Sequence, residues 1–94
     1  MNNLSEFANT LYNYLENTFD RRFINFKIKP YDDYINIEVN YWLGSFVFGY
    51  YFTDDELMNL TNFIPHINRL VETLCKALTD DFYKHIIKDW DKLK

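Results

Sequence analysis

The feature that most constrains the fold is a change in the spacing of apolar residues along the chain. Before residue 23 and after residue 53 apolar residues recur every three or four positions, whereas between them they alternate with polar residues. The first spacing is typical of one face of a helix and the second of a half-buried strand. Three alternating runs, 24–29, 35–41 and 46–52, follow one another with only short turns between them. Parallel neighbours need a long crossover, so these strands are predicted to form an antiparallel meander.

Two tight turns are expected between the strands, at residues 30–33 and 43–45, because proline, aspartate and glycine favour turns. Gly49 lies inside the third alternating run. A glycine in the interior of a strand indicates a bulge or a backbone that lies close, so we expect a bulge or a helix backbone near it.

Helical patterns lie on both sides of the meander. The first predicts a helix over residues 4–19. After the strands, Thr53 and Glu56 have the spacing of a capping box, and the apolar stripe behind them predicts a second helix over 54–78, kinked at Pro65. Two helices broken at Ile64 are the alternative. A second start signal at residues 79–81 predicts a third helix that runs to the C-terminus.

The predicted fold class is α+β, with the order αβββαα and helices covering one face of a three-stranded antiparallel sheet. At 94 residues, nearly half of them hydrophobic, the chain is expected to form one domain, 1–94. The aromatic residues of the predicted apolar face are expected in the core: Phe26, Tyr41, Phe46, Phe48 and Phe52.

The charge of the chain is uneven. The net charge is −4 at pH 7. Residues 30–75 contain seven acidic residues and one basic residue, Arg69, while the segments on either side each sum to +1. A surface of this sign attracts basic partners and repels nucleic acid.

The meander is expected to bring the acids of two distant segments together, because the turn at Asp32 and Asp33 and the helix start at Asp54 follow strand ends on the same side of the sheet. Capping is the alternative explanation, since acids in turns and first helical turns stabilise the local backbone. The near absence of lysine and arginine over 46 residues favours a docking surface, because capping does not require it.

Several tyrosines and one tryptophan are predicted on the uncovered sheet face or at the turn near the acids. These residue types are enriched at protein interfaces; shielding of the bare sheet face is the alternative. The predicted partner-binding residues are Tyr31, Asp32, Asp33, Tyr34, Trp42, Tyr51, Asp54, Asp55 and Glu56.

Catalysis, metal binding and cofactor binding are not expected. A catalytic centre needs a nucleophile or base with an orienting partner, and Cys75, the only cysteine, is predicted to be a small core residue. Asp81, His85 and Asp89 form a line that suits a weak divalent site, but a solvated helix face explains it better. A lone cysteine and the lack of a signal peptide or membrane span predict a soluble, cytoplasmic protein.

The element order, together with acids at the sheet end (Asp32, Asp33, Asp54, Asp55, Glu56), resembles small phage-encoded inhibitors of CRISPR nucleases, the anti-CRISPR proteins. That resemblance implies a non-enzymatic inhibitor or adaptor that docks on a basic, nucleic-acid-binding site of a host protein. The order is also similar to that of double-stranded-RNA-binding domains. Those domains bind phosphates with basic residues at the start of the last helix, where this chain has the acidic residues Asp54, Asp55 and Glu56, so RNA binding of that kind is not expected. The alternative function is a self-associating module, either a homodimer through Trp42, Val47 and Tyr51 of the exposed sheet face or an extension of the sheet along an unpaired strand edge.

Overall fold

The structure is a computed structural model that describes residues 4–92, with side chains described through residue 87. Its contacts divide the chain into two compact units, one ending at Phe63 and the other beginning at Ile64. The elements, in chain order, are α1 (Leu4–Thr18), β1 (Ile24–Pro30), β2 (Tyr34–Tyr41), β3 (Gly44–Tyr51), α2 (Asp54–Met58) and α3 (Ile64–Lys92). The predicted α+β class and the order αβββαα are confirmed.

The three strands form one antiparallel sheet in the order β1–β2–β3. Its register is unbroken from Ile24 opposite Tyr41 to Pro30 opposite Ile35, and from Tyr34 opposite Tyr51 to Tyr41 opposite Gly44. In the β1–β2 pairing, this register places apolar residues opposite apolar residues on one face, as in Phe26–Val39 and Ile28–Ile37, and polar residues opposite polar residues on the other, as in Asn25–Asn40. A shift by one residue would move the apolar set of a strand to the other face, so the burial of this face specifies the register.

The second turn differs from its prediction. Because Tyr41 pairs with Gly44, the turn consists of Trp42 and Leu43, and Gly44 already belongs to β3. A turn at residues 43–45 would shift every residue of β3 to the opposite face of the sheet. The apolar pairs along β2 and β3 therefore set the turn, and the glycine does not.

Helix α1 packs against β1 and β2. Its buried residues recur at three- and four-residue steps, as predicted: Leu4, Phe7, Ala8, Leu11 and Leu15. In the sheet, Ile35, Ile37 and Val39 of the central strand have no exposed surface. Of the aromatic residues predicted in the core, Phe26, Tyr41 and Phe52 are buried, and Phe46 and Phe48 of the outer strand β3 are only half-buried.

The prediction of one kinked helix over 54–78 is wrong. Helix α2 ends at Met58, and α3 begins at Ile64 with Pro65 in its first turn. A proline ring clashes with the carbonyl four residues earlier and lacks an N–H, so it is accommodated at a helix start and not in the interior. Asn59 closes α2, where its backbone N–H and its side-chain Nδ2 both donate to the Asp55 carbonyl.

The predicted helix start at residues 79–81 is also wrong, because α3 continues through it to Lys92. The Thr79 hydroxyl donates to the Cys75 carbonyl one turn earlier, at 2.7 Å. Thr79 is therefore an interior residue of α3 and not the N-cap of a new helix. No glycine or proline follows Pro65, and threonine or aspartate inside a helix costs less than about 0.7 kcal/mol. A capping signal alone therefore does not interrupt the helix.

Within α3, Ile67, Leu70 and Leu74 are buried and follow the predicted three- and four-residue steps. Cys75, predicted to be a core residue, is exposed, because it lies one position beyond this buried stripe.

Candidate protein-binding surface

Three tyrosines stack on one another at the end of the sheet where β1 and β3 finish. The ring centroids of Tyr31 and Tyr34 are 4.7 Å apart with the planes 7° from parallel, and those of Tyr34 and Tyr51 are 4.9 Å apart at 23°. We call these three residues the tyrosine ladder. Tyr51 is 68% exposed and Tyr31 39% exposed, and Tyr34 between them is half-buried. The ladder therefore offers aromatic surface to solvent at both ends.

The backbone explains why the three rings meet. Tyr34 and Tyr51 are cross-strand partners, and the Tyr31 N–H donates to the Tyr34 carbonyl at 2.8 Å. Residues directly opposite one another in an antiparallel pair have Cβ atoms about 4.5–5.5 Å apart, close to the spacing of the rings. The sheet register thus builds the ladder from three separated positions in the sequence.

Gly49 leaves room for the Tyr51 ring. A Cβ atom at Gly49 would lie 3.1 Å from Cε2 of Tyr51, closer than ordinary van der Waals contact. The register of β2 and β3 has no bulge, and the nearest atoms to such a Cβ all belong to Tyr51. The expected bulge or neighbouring helix is therefore wrong: the group that lies close to this glycine is an aromatic side chain.

The acids of the two distant segments lie at the same end of the sheet as the ladder. The Phe52 N–H donates to the Asp33 carbonyl at 2.9 Å, which joins the end of β3 to the first turn. Helix α2 starts two residues after Phe52, at Asp54. We call Asp32, Asp33, Asp54, Asp55 and Glu56 the acidic end, and all except the half-buried Glu56 are exposed. The predicted convergence of the two segments is confirmed.

Glu56 has a structural role within the acidic end. The Thr53 N–H donates to Glu56 Oε1 at 2.9 Å, and the Glu56 N–H donates to Thr53 Oγ1 at 3.2 Å, which completes the predicted capping box. For Glu56 the capping explanation therefore holds, because its carboxylate is engaged by the backbone of its own helix start.

An open cavity of about 470 Å³ lies where the ladder meets the first turn. Its lining comes from α1, the end of β1, the turn and the start of β2: Ser5, Pro30, Tyr31, Asp32, Asp33 and Tyr34. At the same place the Lys29 ammonium lies 5.4 Å from the centroid of the Tyr31 ring, within the range of a cation–π interaction. Tyr31 and the acidic residues Asp32 and Asp33 thus line one recess.

Trp42, predicted to belong to the same surface, lies elsewhere. It follows the far end of β2, and eight residue steps of about 3.3 Å separate it from Tyr34, roughly 25 Å in all. There it is 63% exposed and contacts Phe23 edge to face at 6.5 Å. Phe23, which is 55% exposed, is not among the predicted partner-binding residues. The signal for it in the sequence is an apolar residue directly before Ile24, the first residue of β1, because consecutive residues of an extended chain face opposite sides.

The basic residues near this second aromatic pair are engaged in ion pairs of their own. Arg22 makes a two-pronged contact with Asp20, at 2.7 Å for the shortest distance, and lies 5.6 Å from the Phe23 ring centroid. Its guanidinium lowers the pKa of Asp20 through a side-chain hydrogen bond. Arg21 lies 3.6 Å from Glu16. Positive charge at this end of the sheet is therefore offset locally.

The pKa of Tyr34 should lie above the ordinary phenol value of 10.0. The main reason is desolvation of the ring, which disfavours the charged phenolate; the negative charges of ionised Tyr31, Tyr51 and Asp33 disfavour it further. A raised pKa means that the neutral phenol stabilises the folded state below pH 10.0 and that this contribution is lost as the pH rises through the folded value. An NMR titration of the Tyr34 ring measures it. Tyr31→Phe should move the pKa back toward 10.0; a Tyr34 pKa at or below 10.0 in the parent protein would contradict the stacked geometry.

The metal-binding line considered from the sequence belongs to α3. His85 Nε2 lies 3.4 Å from Asp81 Oδ2, and the side chain of Asp89, the third member of the predicted line, lies outside the described residues. Among the residues that the structure describes, no group of three or more His, Cys, Asp or Glu side chains is placed to hold a metal ion. Within residues 4–92, no helix has the length and apolar character that crossing a bilayer requires.

The comparisons with known proteins returned no match to a protein-family model, a curated protein or a solved structure.

Proposed function

We propose that this protein is a non-enzymatic binding protein that docks the tyrosine ladder and the acidic end on a basic surface of another protein. The observation that carries the proposal is the ladder itself, three stacked and partly exposed tyrosines bordered by exposed Asp32 and Asp33. A core does not need this arrangement, since its outer rings contact solvent, and capping does not need it either, since the tyrosines cap no helix.

The chemistry of the ladder suits arginine and lysine side chains. Aromatic faces attract cations, and carboxylates accept charge-assisted hydrogen bonds from guanidinium groups. Lys29 over Tyr31 is an internal example of the first contact, and the cavity beside it places Asp32 and Asp33 within the same recess. A basic side chain of the partner would find both kinds of contact there.

The partner we propose is a host protein whose basic site binds nucleic acid, such as a CRISPR nuclease. An acidic protein that covers such a site excludes the phosphate backbone by occupying the same positive groups. The element order and the acidic end, which resemble anti-CRISPR proteins, support an inhibitor or adaptor of phage or mobile-element type acting in the host cytoplasm. The tyrosines of the ladder would supply the aromatic contacts that contribute most binding energy at interfaces, which carboxylates do not provide.

Affinity capture from a bacterial lysate tests this proposal. The tagged protein should retain a basic protein at an ionic strength of about 0.1 M and release it at about 1 M, because the Debye length falls from about 10 Å to about 3 Å over that range. Retention by the Tyr31→Ser variant should fall at least tenfold, since aromatic anchors at an interface contribute about 2 kcal/mol or more.

The matched control is Tyr14→Ser, which removes a tyrosine of similar exposure, 43% against 39%, from α1. It should retain the same protein as the parent chain. Capture that is equal at low and high salt, or equally weakened by both substitutions, would refute docking through the ladder and the acidic end.

A further inference from the structure

The sheet has two outer edges, and they differ in what they offer to another strand. With the order β1–β2–β3, one side of β1 and one side of β3 carry no strand among the residues that the structure describes. An exposed edge presents unpaired N–H and C=O groups to any chain that can align with it, and proteins normally protect such edges with charge, proline or a bulge.

The hydrogen bond from the Phe52 N–H to the Asp33 carbonyl determines which backbone groups of β3 point toward β2. Because hydrogen-bonded and non-hydrogen-bonded pairs alternate along an antiparallel ladder, the even-numbered residues of β3 direct their backbone groups toward β2. The odd-numbered residues direct theirs outward: Ser45, Val47, Gly49 and Tyr51. Within residues 4–92 the outward groups of these four residues have no hydrogen-bond partner.

The same reasoning gives the outward residues of β1, with the phase set by the bond from Tyr31 to Tyr34. They are Ile24, Phe26, Ile28 and Pro30. Pro30 has no N–H, and the Ile24 N–H already donates to the Asp20 carbonyl at 3.1 Å. Lys27 and Lys29 add charge along this strand. The β1 edge is therefore protected in the usual way.

The β3 edge has none of these protections. Residues 44–51 contain no charged residue and no proline, and the strand has no bulge. Val47, in the middle of the edge, is 56% exposed. Phe46, Phe48 and Tyr50, on the apolar face of the same strand, are only half-buried. The strand thus offers backbone groups and incompletely covered aromatic rings along one line.

We propose that a second copy of this chain pairs with β3 in antiparallel orientation, on a two-fold axis through Phe48, and joins two three-stranded sheets into one. In this register Ser45 faces Tyr51 of the second copy, and Val47 faces its Gly49. All the outward groups then pair, with about eight hydrogen bonds across the axis. On the apolar face Phe48 meets its own copy and Phe46 meets Tyr50, and aromatic cross-strand pairs of this kind are favourable.

Charge selects the second copy's orientation. Each chain carries a net charge of −4, and a parallel pairing would set the two acidic ends side by side. Antiparallel pairing puts Tyr51 opposite Ser45, so that the acidic ends lie at opposite poles, more than about 25 Å apart. That separation exceeds the Debye length of about 8–10 Å, and β3 itself brings no like charges together.

The test is the molar mass of the purified chain in solution, measured by sedimentation equilibrium at micromolar to submillimolar concentration. The parent chain should form a dimer, and Val47→Lys should be monomeric, because a lysine placed on an edge blocks pairing. The matched control is Asn25→Lys, which puts the same side chain on the exposed outer face of β1 and should leave the dimer intact. A parent chain that remains monomeric, or a dimer that survives Val47→Lys, would overturn the proposal.

Cysteine cross-linking checks the register. In a chain with Cys75→Ser, the Phe48→Cys variant should form a disulfide dimer under mild oxidation, because the Cα atoms of a non-hydrogen-bonded pair lie about 4.5 Å apart. Val47→Cys should not, because two residues at position 47 would be diagonal and about 7–8 Å apart. Circular dichroism shows whether each variant is folded, and efficient cross-linking at 47 instead of 48 would refute the axis through Phe48.

Discussion

Replacing Phe7 by alanine should lower the free energy of unfolding by about 3–5 kcal/mol. Phe7 has no exposed surface. Its ring meets Phe52 edge to face at 5.4 Å and Phe63 at 5.3 Å. These contacts join α1 to the end of β3 and to the segment that follows α2. The substitution removes the buried ring and leaves a cavity, and both effects destabilise.

Chemical denaturation followed by circular dichroism measures this loss, and Tyr14→Ala is the control on the same helix. Tyr14 is exposed, so its truncation should change the stability by no more than about 0.5 kcal/mol. If Phe7→Ala costs less than about 1 kcal/mol, the packing around Phe7 is not as described.

Reversing the charge of Asp33 and Asp54 together, as Asp33→Lys and Asp54→Lys, should weaken the proposed protein complex by about 10- to 100-fold. The two carboxylates come from different segments that the meander brings to the same end of the sheet. Each reversal replaces an attraction to the basic partner with a repulsion, and like charges that meet across an interface cost several kcal/mol when they are not screened. The measurement is a titration of the captured partner by calorimetry.

The matched control is Glu72→Lys with Asp80→Lys, which makes the same change of charge at two exposed positions of α3. If the acidic end is the docking surface, this control should retain most of the affinity, and only the first variant should lose its salt dependence. An equal loss in both double variants would mean that net charge governs binding, not the acidic end. The dimer through β3 is measured without the partner, so either proposal can fail while the other stands.

Much of the candidate surface was predictable because it depends on topology. Alternation in three short-linked runs requires an antiparallel meander, and a meander places its first turn and its last strand end on the same side. Asp33 and Asp54 are therefore neighbours for reasons that the linear pattern contains. The capping box of Thr53 and Glu56 was predictable for a related reason, since it depends on a spacing of three residues.

The tyrosine ladder was not predictable in the same way. Tyr31, Tyr34 and Tyr51 were all expected near the acids or on the open face, but their stacking depends on the register, and Gly49 is needed to accommodate one of the rings. The alternating pattern groups Trp42 with Tyr51 because it predicts both on the uncovered sheet face, and because tryptophan and tyrosine are both enriched at interfaces. Its place at the far end of β2 separates it from the ladder by the length of the strand.

The boundaries of the last two helices show where local signals conflict. Pro65 and the start signal at residues 79–81 each had two possible outcomes, and the apolar stripe ran through both positions without a change of phase. The helix breaks at the proline because steric overlap and a missing donor cost about 3 kcal/mol. The helix continues through residues 79–81 because ending it there and starting a new one would gain only an N-cap, which stabilises a helix by about 1 kcal/mol.

The amino-acid sequence by itself determined the class of the fold, the order of its elements, the buried stripe of α1 and the side of the sheet to which the acids of the middle segment go. These follow from periodicity and connection length, which are properties of neighbouring residues. Tertiary structure alone decided the stacking of the tyrosines, the two-residue turn at Trp42 and Leu43, and the outward direction of Ser45, Val47, Gly49 and Tyr51. Each of these depends on which residue lies opposite which across the sheet, and that pairing is settled only when all the apolar side chains are buried together.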